Sequence, residues 1–212
     1  SGTCVGQSIT ISNTSPGGIW TSGNGSIASV GSATGVVTGI NTGGALMTYS
    51  IGAGCLATHY ISVNAVGPIS GPTSVCTGQT ANLNNFTTGG LWSSSDLSVA
   101  TVGSVTGVVN SISAGTFIIS YTMPTGCATT SLLTSSESAI ITGSNRVCNG
   151  QTISLTSSVT GGIWTSANNT IATIGSVSGI VTGVTSGTVT ITYTTPSGCS
   201  TSTGLAVNAS SP

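Results

Sequence analysis

Charge is almost missing from this chain. Of 212 residues, only Arg146, Asp96 and Glu137 are fully charged at neutral pH, the net charge is −1, and His59 is the single histidine. Ordinary soluble domains are about a quarter charged. With no lysine and one arginine there is no basic patch for phosphates, so nucleic acid is not an expected partner. No polybasic or amphipathic segment suits a membrane surface. No apolar run approaches the roughly 18 residues of a spanning helix, so membrane insertion is not expected. No acid, base and nucleophile fall into a pattern, so the chain does not read as an enzyme and calls for no cofactor. Copies with so little charge repel one another weakly, which favours association.

Glycine, serine, threonine and asparagine take the place of charge, with 32 glycines and 37% hydrophobic residues. Regular alternation of those apolar residues argues for a folded chain. The chain begins Ser1-Gly2-Thr3-Cys4, without Met or signal peptide, and is expected to be processed or part of a longer array.

A repeat of 72 residues dominates the sequence. Cys4, Cys76 and Cys148 keep this spacing, as do Cys55, Cys127 and Cys199, and Trp20, Trp92 and Trp164. Aligned without gaps up to the second cysteine, 16 of 55 positions are identical in all three copies. The modules are read as residues 1–65, lacking a first strand, 66–137 and 138–212.

Each copy holds two cysteines 51 residues apart. Six cysteines allow 15 connectivities. One of them gives every module the same internal bridge: Cys4–Cys55, Cys76–Cys127 and Cys148–Cys199. This is the expected pairing, against buried free thiols or a metal site lacking other ligands. Each such bridge would contribute about 4 kcal/mol and implies an oxidising compartment outside the cytoplasm.

Thr188-Val189-Thr190-Ile191-Thr192-Tyr193-Thr194 alternates strictly, placing Val189, Ile191 and Tyr193 on one side and four threonines on the other. Shorter β-prone runs, such as Gly162-Ile163-Trp164 and Ile171–Ile174, lie between Gly, Ser and Asn turns. With a strand before the first cysteine, each copy predicts about seven short strands and a two-sheet sandwich. Cys, Trp and Cys set among about seven strands resemble immunoglobulin domains, so the fold expected is all-β: three tandem immunoglobulin-like β-sandwich modules, each with one internal disulfide.

The stretches Ile27–Ile40 and Ile171–Val184, the latter followed by Gly187-Thr-Val-Thr-Ile-Thr-Tyr193, resemble bacterial immunoglobulin-like group 2 domains. The cysteine-bearing form, with Ile69-Ser-Gly-Pro-Thr-Ser-Val-Cys76 and Gly89-Gly-Leu-Trp92, is similar to tandem modules of Bacteroidota cell-surface proteins. That resemblance implies export, by the type IX system, and a role as adhesin stalk, spacer or appendage to an enzyme.

Individual residues add little chemistry. His59 aligns with Ser131 and Thr203, Asp96 with Asn24 and Asn168, and Glu137 with Ala65 and Ala209, so no calcium site recurs. Each tryptophan reads as core or as a sugar-stacking surface, with core favoured. Asn13, Asn24, Asn85, Asn168 and Asn208 head glycosylation sequons. Leu46 and Ile118 take the outward position held by Thr190 in copy three and are candidate assembly contacts.

The function expected is a structural segment of an extracellular bacterial filament, stalk or sheath that self-associates. The alternative is an adhesin or carbohydrate-binding repeat whose partner is a surface glycan. A flat threonine face also raises ice as a remoter target.

Overall fold

The computed structural model describes residues 1–209 and shows three immunoglobulin-like β-sandwiches in a row. Ser210 to Pro212, the end of the third expected module and part of the Asn208 sequon, lie outside the described residues.

Module one is built from β1 (Gly2–Cys4), β2 (Ser8–Thr10), β3 (Ile19–Ser22), β4 (Ala28–Val30), β5 (Val36–Gly39), β6 (Gly43–Ser50) and β7 (Leu56–Asn64). One sheet has the order β1-β7-β6-β3 and the other β2-β5-β4. Module two comprises β8 (Ile69–Ser70), β9 (Ser74–Cys76), β10 (Thr80–Asn82), β11 (Asn84–Asn85), β12 (Leu91–Ser94), β13 (Ala100–Val102), β14 (Val108–Ser111), β15 (Gly115–Thr122) and β16 (Ala128–Ser136). Its larger sheet repeats the plan as β9-β16-β15-β12. Module three comprises β17 (Ile141–Gly143), β18 (Arg146–Cys148), β19 (Thr152–Ser157), β20 (Ile163–Ser166), β21 (Ala172–Ile174), β22 (Ile180–Gly183), β23 (Gly187–Thr194) and β24 (Ser200–Asn208). Its sheets are β17-β19-β22-β21 and β18-β24-β23-β20.

In modules two and three the single strand expected before the first cysteine is two. Gly71 and Gly143, both at φ +135, divide it into a piece that joins one sheet (β8, β17) and a piece that crosses to the other (β9, β18). A side chain at Gly71 would lie 2.7 Å from the Asn82 carbonyl oxygen, so the crossing needs glycine. The second piece then runs parallel to the last strand of its module. Gly2, Thr3 and Cys4 pair with Ser62, Val63 and Asn64, and the other modules repeat this register.

Alternation sets each core. In module three Val189, Ile191 and Tyr193 are buried while Thr188 and Thr190 are exposed. Each tryptophan is buried beside a cross-strand tyrosine, with ring centroids 4.9, 4.6 and 4.7 Å apart for Trp20–Tyr49, Trp92–Tyr121 and Trp164–Tyr193. The tyrosine hydroxyl also fastens the loop that leads into the tryptophan strand. Tyr121 donates to the Thr87 carbonyl at 2.7 Å and accepts from the Gly90 amide at 2.8 Å. Modules one and three make the same pair of bonds. A side chain at Gly90 would lie 2.6 Å from the Tyr121 ring, which accounts for glycine before each Ile/Leu-Trp.

Candidate functional site: the bridged junction between modules

The cysteines do not pair within modules. Cys4 bonds to Cys127 and Cys76 to Cys199, with Cα atoms 5.6 and 5.7 Å apart, while Cys55 and Cys148 are free and exposed. The expected pairs Cys4–Cys55, Cys76–Cys127 and Cys148–Cys199 are thus overturned, and strand register is the reason. Because β1 pairs with the last three residues of β7, Cys4 lies level with Asn64 at the end of the last strand. Cys55 precedes Leu56 at its beginning. Nine residues of extended chain separate the two levels, about 30 Å at 3.3 Å per residue. A disulfide needs Cα atoms within about 7 Å.

Each bridge instead spans a junction. The first cysteine of one module sits at the pole where its last strand ends. The second cysteine of the following module lies in the turn that faces that pole, Met123-Pro-Thr-Gly-Cys127 or Thr195-Pro-Ser-Gly-Cys199. The Cys127 sulfur is 3.7 Å from the Asn64 carbonyl oxygen, and the Cys199 sulfur is 3.7 Å from that of Ser136. Both Cys127 and Cys199 are buried. Their turns are closed by matching bonds, Met123 amide to Cys127 carbonyl and Thr195 amide to Cys199 carbonyl, each 2.8 Å.

The chain segments between modules are tied down as well. Asn85 Nδ2 donates to the Gly67 carbonyl at 2.6 Å, and Thr87 Oγ1 accepts from the Gly67 amide at 2.9 Å. At the second junction Ser138 donates through its amide to Thr77 Oγ1 at 2.9 Å and through Oγ to the Thr77 carbonyl at 2.8 Å.

Leu46 and Ile118 are exposed on the outer face of the larger sheet. Each has an apolar cross-strand partner that sequence reasoning missed: Leu46 faces Tyr60 and Ile118 faces Leu132, both also exposed. The same place in module three holds Thr190 opposite Gly204. That face is otherwise hydroxylated, with Thr192 bonded to Ser202 and Thr194 to Ser200, each at 3.0 Å.

Of the sequon asparagines, Asn24, Asn168 and Asn208 are exposed and Asn13 and Asn85 half-buried. The Asn85 amide nitrogen is already committed to the first linker. Asn24, Asp96 and Asn168 share one role. Each side-chain oxygen accepts from the amide and hydroxyl of the residue two positions on, with Asp96 receiving Ser98 Oγ at 2.6 Å and the Ser98 amide at 2.9 Å. These Ser98 bonds hold the Asp96 carboxyl below its ordinary pKa.

No family model matches the chain. Ice-binding protein 1 of Shewanella frigidimarina (strain NCIMB 400) is 29% identical over 208 residues, covering 82% of this chain and 23% of that protein. The chain therefore spans less than a quarter of that relative's length. A C-terminal intimin fragment, solved in complex with the intimin-binding domain of its translocated receptor, is 16% identical, with TM-score 0.41 over 59% of this chain and 53% of the fragment. Domains 1–6 of the surface layer protein SbsC are 16% identical, with TM-score 0.29 over 92% of this chain and 35% of that one. Drosophila N-cadherin EC1-3 is 12% identical, with TM-score 0.30 over 95% and 92%. At these scores the likenesses carry no functional argument.

Among the described residues no three His, Cys, Asp or Glu side chains gather where they could hold a metal. His59 lies exposed on β7, opposite Met47 on β6, with its Nε2 2.5 Å from Ser1 Oγ. Chemically the site is structural: two covalent ties, each fixing one sandwich against the next.

Proposed function

We propose that this chain is a length of an extracellular bacterial stalk, sheath or filament, made of tandem immunoglobulin-like repeats of the group 2 kind whose junctions are locked by disulfides. The observation that carries this reading is that both bridges join successive modules. A bridge inside a module would strengthen a domain; a bridge between modules fixes their relative direction, which serves a rod. Disulfides persist outside the cytoplasm, which supports export to the cell surface. The near-absence of charge and the outward pairs Leu46–Tyr60 and Ile118–Leu132 support lateral contact between chains. Electron microscopy of native material tests the proposal. Straight rods or ordered fibres that lose their straightness on reduction support it, whereas flexible, kinked chains with intact bridges refute it.

A second reading has its own support. The outer face of module three presents Thr188, Thr190 and Thr192 on β23 with Ser200 and Ser202 on β24, a regular hydroxyl array suited to glycan or ice. The relative bearing an ice-binding name adds to this reading. A glycan array and a thermal-hysteresis measurement on the chain decide it: activity lost in Thr190→Lys supports binding through this face, and no activity in either assay removes it.

A further inference from the structure

Bond and repeat run at different periods. The repeat is 72 residues, but each bridge joins cysteines 123 residues apart, the first of one module to the second of the next. Among the described residues this offset leaves a first cysteine, Cys148, and a second cysteine, Cys55, unbonded.

The surroundings of Cys148 match those of the bonded first cysteines. Arg146, Val147 and Cys148 pair in parallel with Ala206, Val207 and Asn208, the register seen at Cys4 and Cys76. The ladder continues one step past each cysteine in all three modules, through Val5, Thr77 and Asn149 amides to Asn64, Ser136 and Asn208 carbonyls at 2.8 to 2.9 Å. Cys148 lines an open concavity with Arg146, Gln151 and Asn208. At the first junction the equivalent Cys4, Gln7 and Asn64 line a concavity shared with Gly126, Cys127 and Thr129 of the next module. The pole at Cys148 is thus half of a junction already formed. Cys55 stands in the turn equivalent to those of Cys127 and Cys199.

We propose that Cys148 and Cys55 are complementary halves of the same bridge, and that Cys148 of one unit bonds to Cys55 of another set head to tail. Two thiols lose two protons and two electrons to a small-molecule disulfide such as oxidised glutathione. One cysteine first forms a mixed disulfide and releases one glutathione thiol; the other then attacks it and releases the second. This rests on the junction geometry and not on the filament reading: a stalk without end-to-end bridges would still be a stalk.

The bridging has a mechanical consequence. From Cys127 the chain follows β16 to the far pole of module two, then the linker, then β17 and β18 to Cys148 at the far pole of module three. Only 21 residues make that passage, at most about 75 Å when fully extended. Bridged at both ends, such segments form a covalent route along the array that runs through the last strand of a sandwich.

Cys55→Ser and Cys148→Ser chains, mixed and incubated in a glutathione redox buffer, test the pairing. Non-reducing gels and peptide mapping should show a mixed dimer through Cys148–Cys55, at least about tenfold above either symmetric dimer, while the unsubstituted chain forms a ladder. Mapping the Cys4–Cys127 and Cys76–Cys199 bridges in the same samples confirms that the variants are folded. Folded variants that give no mixed dimer, or give it no more than the symmetric dimers, overturn the proposal.

Discussion

Cys4 and Cys55 lie at opposite poles of module one, one level with the last residue of β7 and the other just before its first. Their separation makes the disulfides a property of the array instead of the module. Each bridge joins residues 123 apart, and closing a loop of that length contributes about 5 kcal/mol in the chain-entropy model.

Reduction should therefore loosen junctions before it melts modules. Replacing Cys127 with Ser should increase the radius of gyration in solution scattering. The near-ultraviolet signal of the Trp–Tyr pairs should stay unchanged, because none of those rings belongs to a bridge. Loss of that signal together with the expansion would show that modules and junctions unfold as one.

The tryptophan–tyrosine–glycine unit makes a graded prediction in module two. Tyr121→Phe removes the bonds to Thr87 and Gly90 and should cost about 1 kcal/mol in denaturant unfolding. Gly90→Ala drives a methyl group into the Tyr121 ring and should cost more, about 1–3 kcal/mol. If Gly90→Ala is neutral, close approach is not why glycine stands there.

Asp96 makes a pH-dependent prediction. Its folded-state pKa is lowered, so its contribution is present above the ordinary carboxylate pKa and is lost as pH falls through and below about 4. Asn24 and Asn168 perform the same turn without charge. Asp96→Asn should therefore leave the melting temperature at neutral pH unchanged and flatten its decline in acid. A large loss at neutral pH would mean the charge itself matters.

Leu46→Lys with Ile118→Lys should abolish lateral association without unfolding, since both side chains are exposed and such changes cost within about 1 kcal/mol. Light scattering at several salt concentrations provides the check. The wild-type contact should be insensitive to ionic strength, and a monomer at every concentration would remove the lateral contact.

The sandwich was legible because alternation is local: Thr188 to Thr194 displays its buried and exposed faces in seven letters. The bridge pattern was not, because it turns on where a three-residue strand pairs along its neighbour. β1 is too short for its sequence to show that it pairs with the last three residues of β7 and not with its first, next to Cys55. The partners of Leu46 and Ile118 were hidden for a related reason. Thr58-His59-Tyr60 and Thr130-Ser131-Leu132 lack strict alternation, so only the pairing register reveals Tyr60 and Leu132.

Peptide mapping under non-reducing conditions, with free thiols alkylated first, tests the central claim most directly. Linked peptides should contain Cys4 with Cys127 and Cys76 with Cys199, with neither Cys55 nor Cys148 joined to a cysteine of its own module. Recovery of Cys4–Cys55, Cys76–Cys127 and Cys148–Cys199 instead would contradict it.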